Sequence, residues 1–354
     1  MSLTSRSVSI IVPCRNEAGH LGPFLDSLLA QDCVDLDWEA IIVDGMSEDG
    51  TQAILSAYCG REPRIRVMEN ARGIVSTGLN AAIAAARGEV ILRMDAHSEY
   101  SPDYVRECVA TLSRSGAANV GGAARTKASG FVQRAIAAAY HSRWSTGGAR
   151  FHDEAYEGPV DTVTYGCWRK ETLLSIGLFD ETLVRNQDDE LNFRLIRAGQ
   201  IVWQSPRIRS WYRPRKSFSA LFWQYFQYGF WKVAVIRKHR LPASLRHIVP
   251  GLFVLANFAL PLSIALAGAL KATSFAGWLS LCWFIETGAY LLLLISASAF
   301  AAAECGWDLV LPLPLVFAVY HLSYGMGFLA GLIHFLTPRS ARPCPGKVFT
   351  EVTR

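Results

Sequence analysis

Cysteine pairing is what this sequence most plainly lacks. Its eight cysteines, Cys14, Cys33, Cys59, Cys108, Cys167, Cys282, Cys305 and Cys344, stand singly, with no CxxC pair. That spacing argues against a zinc module and a disulfide framework, and it fits a reducing cytosol. No GxGxxG run follows the first apolar strand, which sets aside a dinucleotide-dependent oxidoreductase. Charge is scarce, at 18% of 354 residues against 51% hydrophobic. The net charge of +5 is too modest to call for nucleic acid. The N-terminus, MSLTSRSVSIIVP, carries only a short apolar run before a proline, and so reads as a first strand rather than a signal peptide. Neither internal repeats nor low-complexity tracts occur.

The scarce charge is unevenly spread, and this divides the chain. Residues 1–247 hold nearly all of it and 248–336 almost none. The first part alternates strands and helices. Val8–Val12, Ala40–Val43, Ile65–Met68 and Glu89–Met94 are short apolar runs of the kind buried parallel strands require. Between them, Glu17–Gln31 places Leu21, Phe24, Leu25, Leu28 and Leu29 on one helical face, Asp49-Gly50-Thr51 opens a second helix, and Val75–Ala86 is a small-residue helix. The alternation predicts an α/β fold with a parallel sheet, whose ligands bind at the carboxyl ends of the strands.

From residue 217 the chain changes character. Phe218, Phe222, Trp223, Tyr225, Phe226, Tyr228, Phe230 and Trp231 crowd one stretch ahead of Arg237-Lys238-His239-Arg240, a pattern that suits a helix in the membrane interface. Ile248–Leu270, Phe275–Ala303 and Leu309–Leu336 then each reach the roughly 20 residues that a crossing needs. Glu286 is the one acid inside them, near the middle of the second. The predicted organisation is a catalytic region 1–216, interfacial helices 217–247, a hydrophobic membrane region 248–336 and a basic tail 337–354. Three crossings would put that tail (Arg339, Arg342, Lys347, Arg354) opposite the catalytic region, whereas the positive-inside rule favours the same side. A re-entrant or interfacial segment, marked by Pro250 and Pro261 or by Pro312 and Pro314, is the alternative.

Polar residues cluster where the strands end. Pro13-Cys14-Arg15-Asn16-Glu17 follows the first strand, and Asp44-Gly45-Met46-Ser47-Glu48-Asp49-Gly50-Thr51 the second. Asn80 lies in the small-residue helix, Arg93 and Asp95-Ala96-His97 end the fourth strand, and Asp188-Asp189-Glu190-Leu191-Asn192-Phe193-Arg194 opens a later helix. In this order the sequence resembles the family 2 glycosyltransferases of the GT-A fold, a Rossmann-like nucleotide-sugar-binding domain, and among them the succinoglycan-type exopolysaccharide enzymes. The resemblance covers roughly residues 6–240. ARGIVSTGLNAAIAAARGEVILRMDAH, NQDDELNFRL and FWQYFQYGFWK carry it.

That resemblance implies a membrane-bound, multi-pass enzyme of a bacterial inner membrane with its catalytic region in the cytoplasm. It would add one sugar from a nucleotide sugar, UDP-glucose by likeness, to a polyprenyl-diphosphate-linked glycan among membrane lipids. Pro13, Arg15, Glu17, Asp44, Gly45 and Ser47 would line the nucleotide pocket, and Arg72, Asn80 and Arg93 would meet diphosphate or ribose. Asp95 would hold a divalent cation, Mn²⁺ or Mg²⁺, that neutralises the leaving diphosphate. The family's usual Asp two residues on is His97 here, a ligand better suited to Mn²⁺ than to Mg²⁺. The Asp that usually follows Asp44 is Gly45. Asp188 matches the catalytic base of an inverting transfer, with Asp189 its close rival. Gly166 and Trp168 would lie near the acceptor, Trp168 as a sugar platform or a core residue. Arg213 and Arg215 would hold a diphosphate or anionic headgroups. Two alternatives remain: a catalytically impaired scaffold of a polysaccharide assembly complex, and a processive synthase. The second is weakened because Gln204 and Arg207 are followed by Ile208 rather than the tryptophan such synthases carry.

Overall fold

The computed structural model describes residues 7–242 and 244–337. The expected basic tail, with Cys344, lies outside them from residue 338 onward. Eleven strands form, β1 Ser7–Cys14, β2 Asp37–Asp44, β3 Ile65–Glu69, β4 Val90–Arg93, β5 Ser98–Tyr100, β6 Asn119–Gly122, β7 Arg125–Thr126, β8 Gly158–Pro159, β9 Thr164–Arg169, β10 Val202–Gln204 and β11 Ser210–Tyr212. The helices are α1 Ala18–Leu29, α2 Thr51–Cys59, α3 Val75–Ala85, α4 Tyr104–Ser115, α5 Phe131–His141, α6 Arg143–Thr146, α7 Lys170–Ile176, α8 Gln187–Arg197, α9 Phe218–His239, α10 Val249–Ala269, α11 Thr273–Cys305 and α12 Leu313–Leu336. They sort into two compact units, one of residues 7–127 with Ala149–Arg213, the other of Ala128–Gly148 with 214–337.

The first unit is built on an eight-stranded sheet ordered β3-β2-β1-β4-β9-β6-β10-β8, with a small sheet β5-β11-β7 beside it. The first four strands are parallel, as their apolar runs predict. The sheet as a whole is mixed, because β9 runs antiparallel to both β4 and β6. Both faces are covered. Val8, Ile10 and Val12 pack with Leu21, Leu25 and Leu28 of α1 and with Val105 and Leu112 of α4. Ile11, Ile41 and Ile91 pack with Leu79 and Ile83 of α3 and Leu191 and Leu195 of α8. A strand buried on both faces cannot alternate apolar with polar, which explains the continuous runs. At Gly88 the chain passes so close to β1 that a Cβ would come within 2.5 Å of the Ser9 nitrogen, and only glycine fits.

The second unit gathers α5, α6 and α9–α12 around a core of Ile136, Leu221, Leu294, Leu313, Val316, Phe317 and Tyr320. Residues 128–148 group with the C-terminal helices, because α5 buries Ala135, Ile136 and Ala139 against α11 and α12. Three helices in this unit are long and apolar enough to cross a membrane, spanning Leu245–Ala269, Thr273–Cys305 and Leu313–Leu336. α10 exposes Leu252, Leu255, Phe258, Leu262 and Leu266 along one side, apolar surface that water disfavours and a bilayer accepts. The aromatic helix α9 lies in close backbone contact with α12. A Cβ on Gly327 would overlap the carbonyl of Phe226, one on Gly229 that of Tyr324, and one on Gly331 would come within 2.6 Å of the Phe230 carbonyl. Small residues that let two helices approach in this way are the signature of packing within membranes. Asn257 of α10 donates to Glu286 at 3.3 Å and accepts from Trp283 at 3.1 Å, so one oxygen of the single acid inside the apolar stretches has a polar partner within the unit.

Candidate active site

Two loops at the carboxyl ends of β1 and β2 interlock through short polar side chains. The Asn16 amide donates to Ser47 Oγ at 2.7 Å, and its side-chain oxygen accepts from the Glu48 amide at 2.9 Å. Asn16 adopts φ 53°, a conformation asparagine tolerates better than most residues. The Glu17 amide donates to Thr51 Oγ1 at 2.8 Å, fixing the start of α1. Asp44 is almost fully buried, at 1% exposure. Its carboxylate accepts from the Ser47 hydroxyl and amide and from Gln52 Nε2 at 3.0 Å. The aliphatic part of Arg15 covers Gly45, where a Cβ would meet Arg15 Cβ and Cδ at 3.3 Å, and its Nη1 lies 2.9 Å from where one would stand on Gly73. Gly45 therefore makes room for Arg15. Pro13 sits just beneath, in register with Val43.

A second group forms where β4 ends. Ser98 N–H donates to the Asp95 carbonyl at 3.1 Å, closing a turn that carries Asp95 and His97 at its first and third positions. Arg93, buried, grips Asp95 with Nε at 2.9 Å and Nη2 at 3.1 Å, and donates Nη1 to Asp188 at 2.6 Å. Burial opposes the charge of Arg93, but Asp188 and Asp95 outweigh it and hold the guanidinium protonated. Burial raises the Asp188 carboxyl above the ordinary aspartate range. Arg93 pulls it down, and Asp95 and Asp189 push it further up. Asp188 and Asp189 lie in the first turn of α8, where the helix dipole favours negative charge. His97 Nδ1 lies 3.0 Å from Glu17 Oε1, which joins this group to the β1 loop.

Other expected residues stand apart. Asn80 donates to the Phe179 carbonyl at 2.9 Å and to Glu181 at 3.0 Å, and accepts from the Phe179 amide at 3.0 Å, which makes it a strut between α3 and the loop after α7. Arg72 turns to the same Glu181, at 2.6 Å. Trp168 is a core residue, 1% exposed and packed edge-on against Phe179. Gly166, at φ 114°, has the Trp168 ring where a side chain would stand. Arg213 pairs with Glu99 at 2.9 Å, and Arg215 belongs to the second unit. Glu190, in the acidic run of α8, is fully buried and paired with Arg194 at 2.9 Å.

Sequence reasoning passed over several participants. Gln52 and Glu181 are the polar partners of Asp44, Arg72 and Asn80. Tyr100 Oη accepts the Asp95 amide at 2.6 Å. Tyr165, at φ 63°, hydrogen-bonds with Ser98, and burial together with Asp95 raises its phenol above the ordinary range. An aromatic residue directly before a glycine was the one signal of that strained position in β9.

Among the described residues no group of three His, Cys, Asp or Glu side chains is arranged as a metal cage. One carboxylate and one imidazole on a single turn nonetheless suit a cation that takes its remaining ligands from a bound diphosphate. Each Asp95 oxygen keeps a lone pair beyond its bond to Arg93.

The model of the family described as "Glycosyl transferase family 2" matches residues 9–170. Succinoglycan biosynthesis protein ExoA of Rhizobium meliloti is 33% identical over 250 residues, 70% of this chain and 76% of that protein. A Methanococcus voltae dolichyl N-acetyl-alpha-D-glucosaminyl phosphate 3-beta-D-2,3-diacetamido-2,3-dideoxy-beta-D-glucuronosyltransferase is 27% identical over 335 residues, 92% of this chain and 97% of that one. In fold, the chain is similar to the mannosyltransferase PcManGT of Pyrobaculum calidifontis, solved with GDP-Man and Mn²⁺. The TM-score is 0.58 at 18% identity, over 93% of this chain and 87% of the other.

Proposed function

Because the chain belongs to the family 2 glycosyltransferases and has a GT-A-like fold, we propose that it is a membrane-bound inverting transferase adding one sugar from a nucleotide sugar to a polyprenyl-diphosphate-linked glycan of an exopolysaccharide. UDP-glucose is the donor we assign, on the likeness to succinoglycan-type enzymes. The observation that carries the reading is the Arg93 bridge. One buried guanidinium ties Asp95, the donor-side carboxylate, to Asp188, the candidate base, which is partly exposed.

In this reading the loops after β1 and β2 receive the nucleotide, with Pro13, Arg15, Glu17, Asp44, Gly45 and Ser47 around it. Asp95 and His97 would hold Mn²⁺ or Mg²⁺, which when bound supplies positive charge against the leaving diphosphate. Asp188 takes the proton of the acceptor hydroxyl as that oxygen attacks the anomeric carbon and the bond to the diphosphate breaks. Its raised pKa makes it a stronger base than a solvated aspartate. Arg213 and Arg215 would serve the acceptor diphosphate. The apolar helices would cross a bacterial cell membrane with the catalytic region in the cytoplasm, where nucleotide sugars are made. The reading is tested with purified full-length protein in detergent, Mn²⁺ or Mg²⁺, a polyprenyl-diphosphate sugar acceptor and a panel of nucleotide sugars. Release of UDP with elongation of the lipid-linked glycan supports it. Turnover of no donor in the panel rejects it, and turnover of a different sugar rejects only the UDP-glucose assignment.

A further inference from the structure

His97 is about half exposed, at 52%, whereas Glu17, its partner at 3.0 Å, is 4% exposed. A carboxylate only accepts hydrogen bonds, so in this pair the ring donates through Nδ1–H. The proton on Nδ1 leaves Nε2 of the neutral imidazole as the nitrogen with the lone pair. Glu17 is itself held rigidly. Its amide donates to Thr51 Oγ1 at 2.8 Å, and the next amide, of Ala18, donates to Asp49 at 3.1 Å. A carboxylate anchored in one loop therefore sets both the tautomer and the orientation of an imidazole on another. Histidine ligands of metal ions are fixed by such an outer carboxylate, which also raises the basicity of the ligating nitrogen.

We propose that Glu17 is the positioning residue for His97, presenting Nε2 rather than Nδ1 to the divalent cation of the donor complex. The inference rests on the proposed reading of Asp95 and His97, and it gives Glu17 a task other than contact with the nucleotide.

The test uses full-length protein in detergent with Mn²⁺ and UDP. Pulsed electron paramagnetic resonance reads nitrogen directly bonded to Mn²⁺, and titration of the free-ion signal reads its affinity. Wild type is expected to show one imidazole ¹⁴N coupling, absent in His97→Ala. Glu17→Gln keeps the shape of the side chain, and it should weaken or abolish the coupling and lower Mn²⁺ affinity by about 10–100-fold. Glu17→Gln added to His97→Ala should change affinity no further, because Glu17 acts only through the ring. Mn²⁺ bound by wild type without a ¹⁴N coupling overturns the inference and leaves the transferase reading intact. No Mn²⁺ binding at all overturns it together with the metal assignment. An equal loss from Glu17→Gln in both backgrounds assigns Glu17 a separate role and overturns it as well. If Glu17→Gln does not fold, the wild-type and His97→Ala spectra still decide whether the His97 ring is a ligand, and absence of the coupling in wild type overturns the inference.

Discussion

Arg93 Nη1 donates to Asp188 Oδ1 at 2.6 Å, joining the last residue of β4 to the first turn of α8. The same guanidinium holds Asp95, so the two carboxylates share one cation. Replacing it by a long, unbranched apolar residue, Arg93→Met, removes the cation that the two carboxylates share. Breaking a buried pair costs about 3–5 kcal/mol, and the 36% exposure of the Asp188 side chain argues for the lower end. The pH effect has a definite sign. A positive neighbour favours the anionic form, so its loss raises the Asp188 pKa further above the ordinary range. A base must be deprotonated to act, so the acidic limb of kcat/KM against pH should move to higher pH in Arg93→Met. Thermal unfolding and a pH–rate profile check the two effects separately. An unmoved limb would mean that Asp188 is not the base or that Arg93 does not hold it during turnover.

Asp188→Asn should lower kcat by about 10²–10⁴-fold, the usual worth of general-base catalysis, with little change in donor binding. Asp189→Asn should do less, because Asp188 is the carboxylate that Arg93 Nη1 holds at 2.6 Å. The product from an α-linked donor should be β-linked, read from the anomeric coupling constant in its NMR spectrum. A larger loss at Asp189 would transfer the role by one residue, and an α-linked product would reject single displacement.

Metal dependence should centre on Asp95. Asp95→Asn should abolish transfer, and so should excess chelator on the wild type. His97→Asp should keep activity and shift its preference from Mn²⁺ towards Mg²⁺, since a carboxylate suits the harder ion better than imidazole does. Rates with the two ions, measured for both proteins, settle the point. Full activity in chelator would remove the cation from the reaction.

Much of the fold was legible because burial on both faces writes itself into sequence as apolar runs. β1 to β4, α1 and α3 fall within a few residues of their predicted bounds for that reason, and α8 starts beside Asp188, where a helix was expected to open. What escaped carries no period. β5, β7, β8 and β11 are only two or three residues long, and nothing in the composition of β9 tells that it runs antiparallel. The packing of α5 on α9, α11 and α12 joins segments far apart in the chain, which no local pattern shows. The site divides in the same way. Asp95, His97, Asp188 and Glu17 were visible as residue types at strand and helix ends. The burial of Trp168 and the turning of Asn80 towards Phe179 depend on register and rotamer, which a motif does not specify.

Trp168 and Asn80 should accordingly behave as structural residues. Trp168→Ala removes a fully buried indole and should cost about 3–5 kcal/mol, whereas Trp168→Phe, which keeps most of the packing, should be mild. Asn80→Ala leaves the Phe179 amide without its acceptor at 3.0 Å and should cost about 1–3 kcal/mol. Chemical denaturation would measure both. If Trp168→Phe instead raised KM for the acceptor by tenfold at unchanged stability, the indole would have to reach substrate in a conformation other than the buried one.

The glycines of α12 make the sharpest claim about the second unit. A methyl group on Gly327 would overlap the Phe226 carbonyl, and one on Gly325 the Pro250 carbonyl, so neither can be accommodated by turning a flexible side chain. For Gly327 the α9 and α12 backbones would have to move apart, and for Gly325 those of α10 and α12, giving up the dispersion contacts that hold helices together where lipid offers no hydrophobic driving force. Gly268 of α10 is the internal control, since nothing lies within 4 Å of where its Cβ would stand. Gly327→Ala should therefore lower the unfolding temperature in detergent and broaden the size-exclusion profile. Gly268→Ala should leave both unchanged or raise the unfolding temperature slightly, because alanine is the better helix former by about 1 kcal/mol. Replacing Gly327 by leucine should prevent recovery of folded protein altogether. Equal tolerance at Gly327 and Gly268 would mean that α9 does not pack on α12 through its backbone. The aromatic helix would then return to the interfacial position that its sequence suggests.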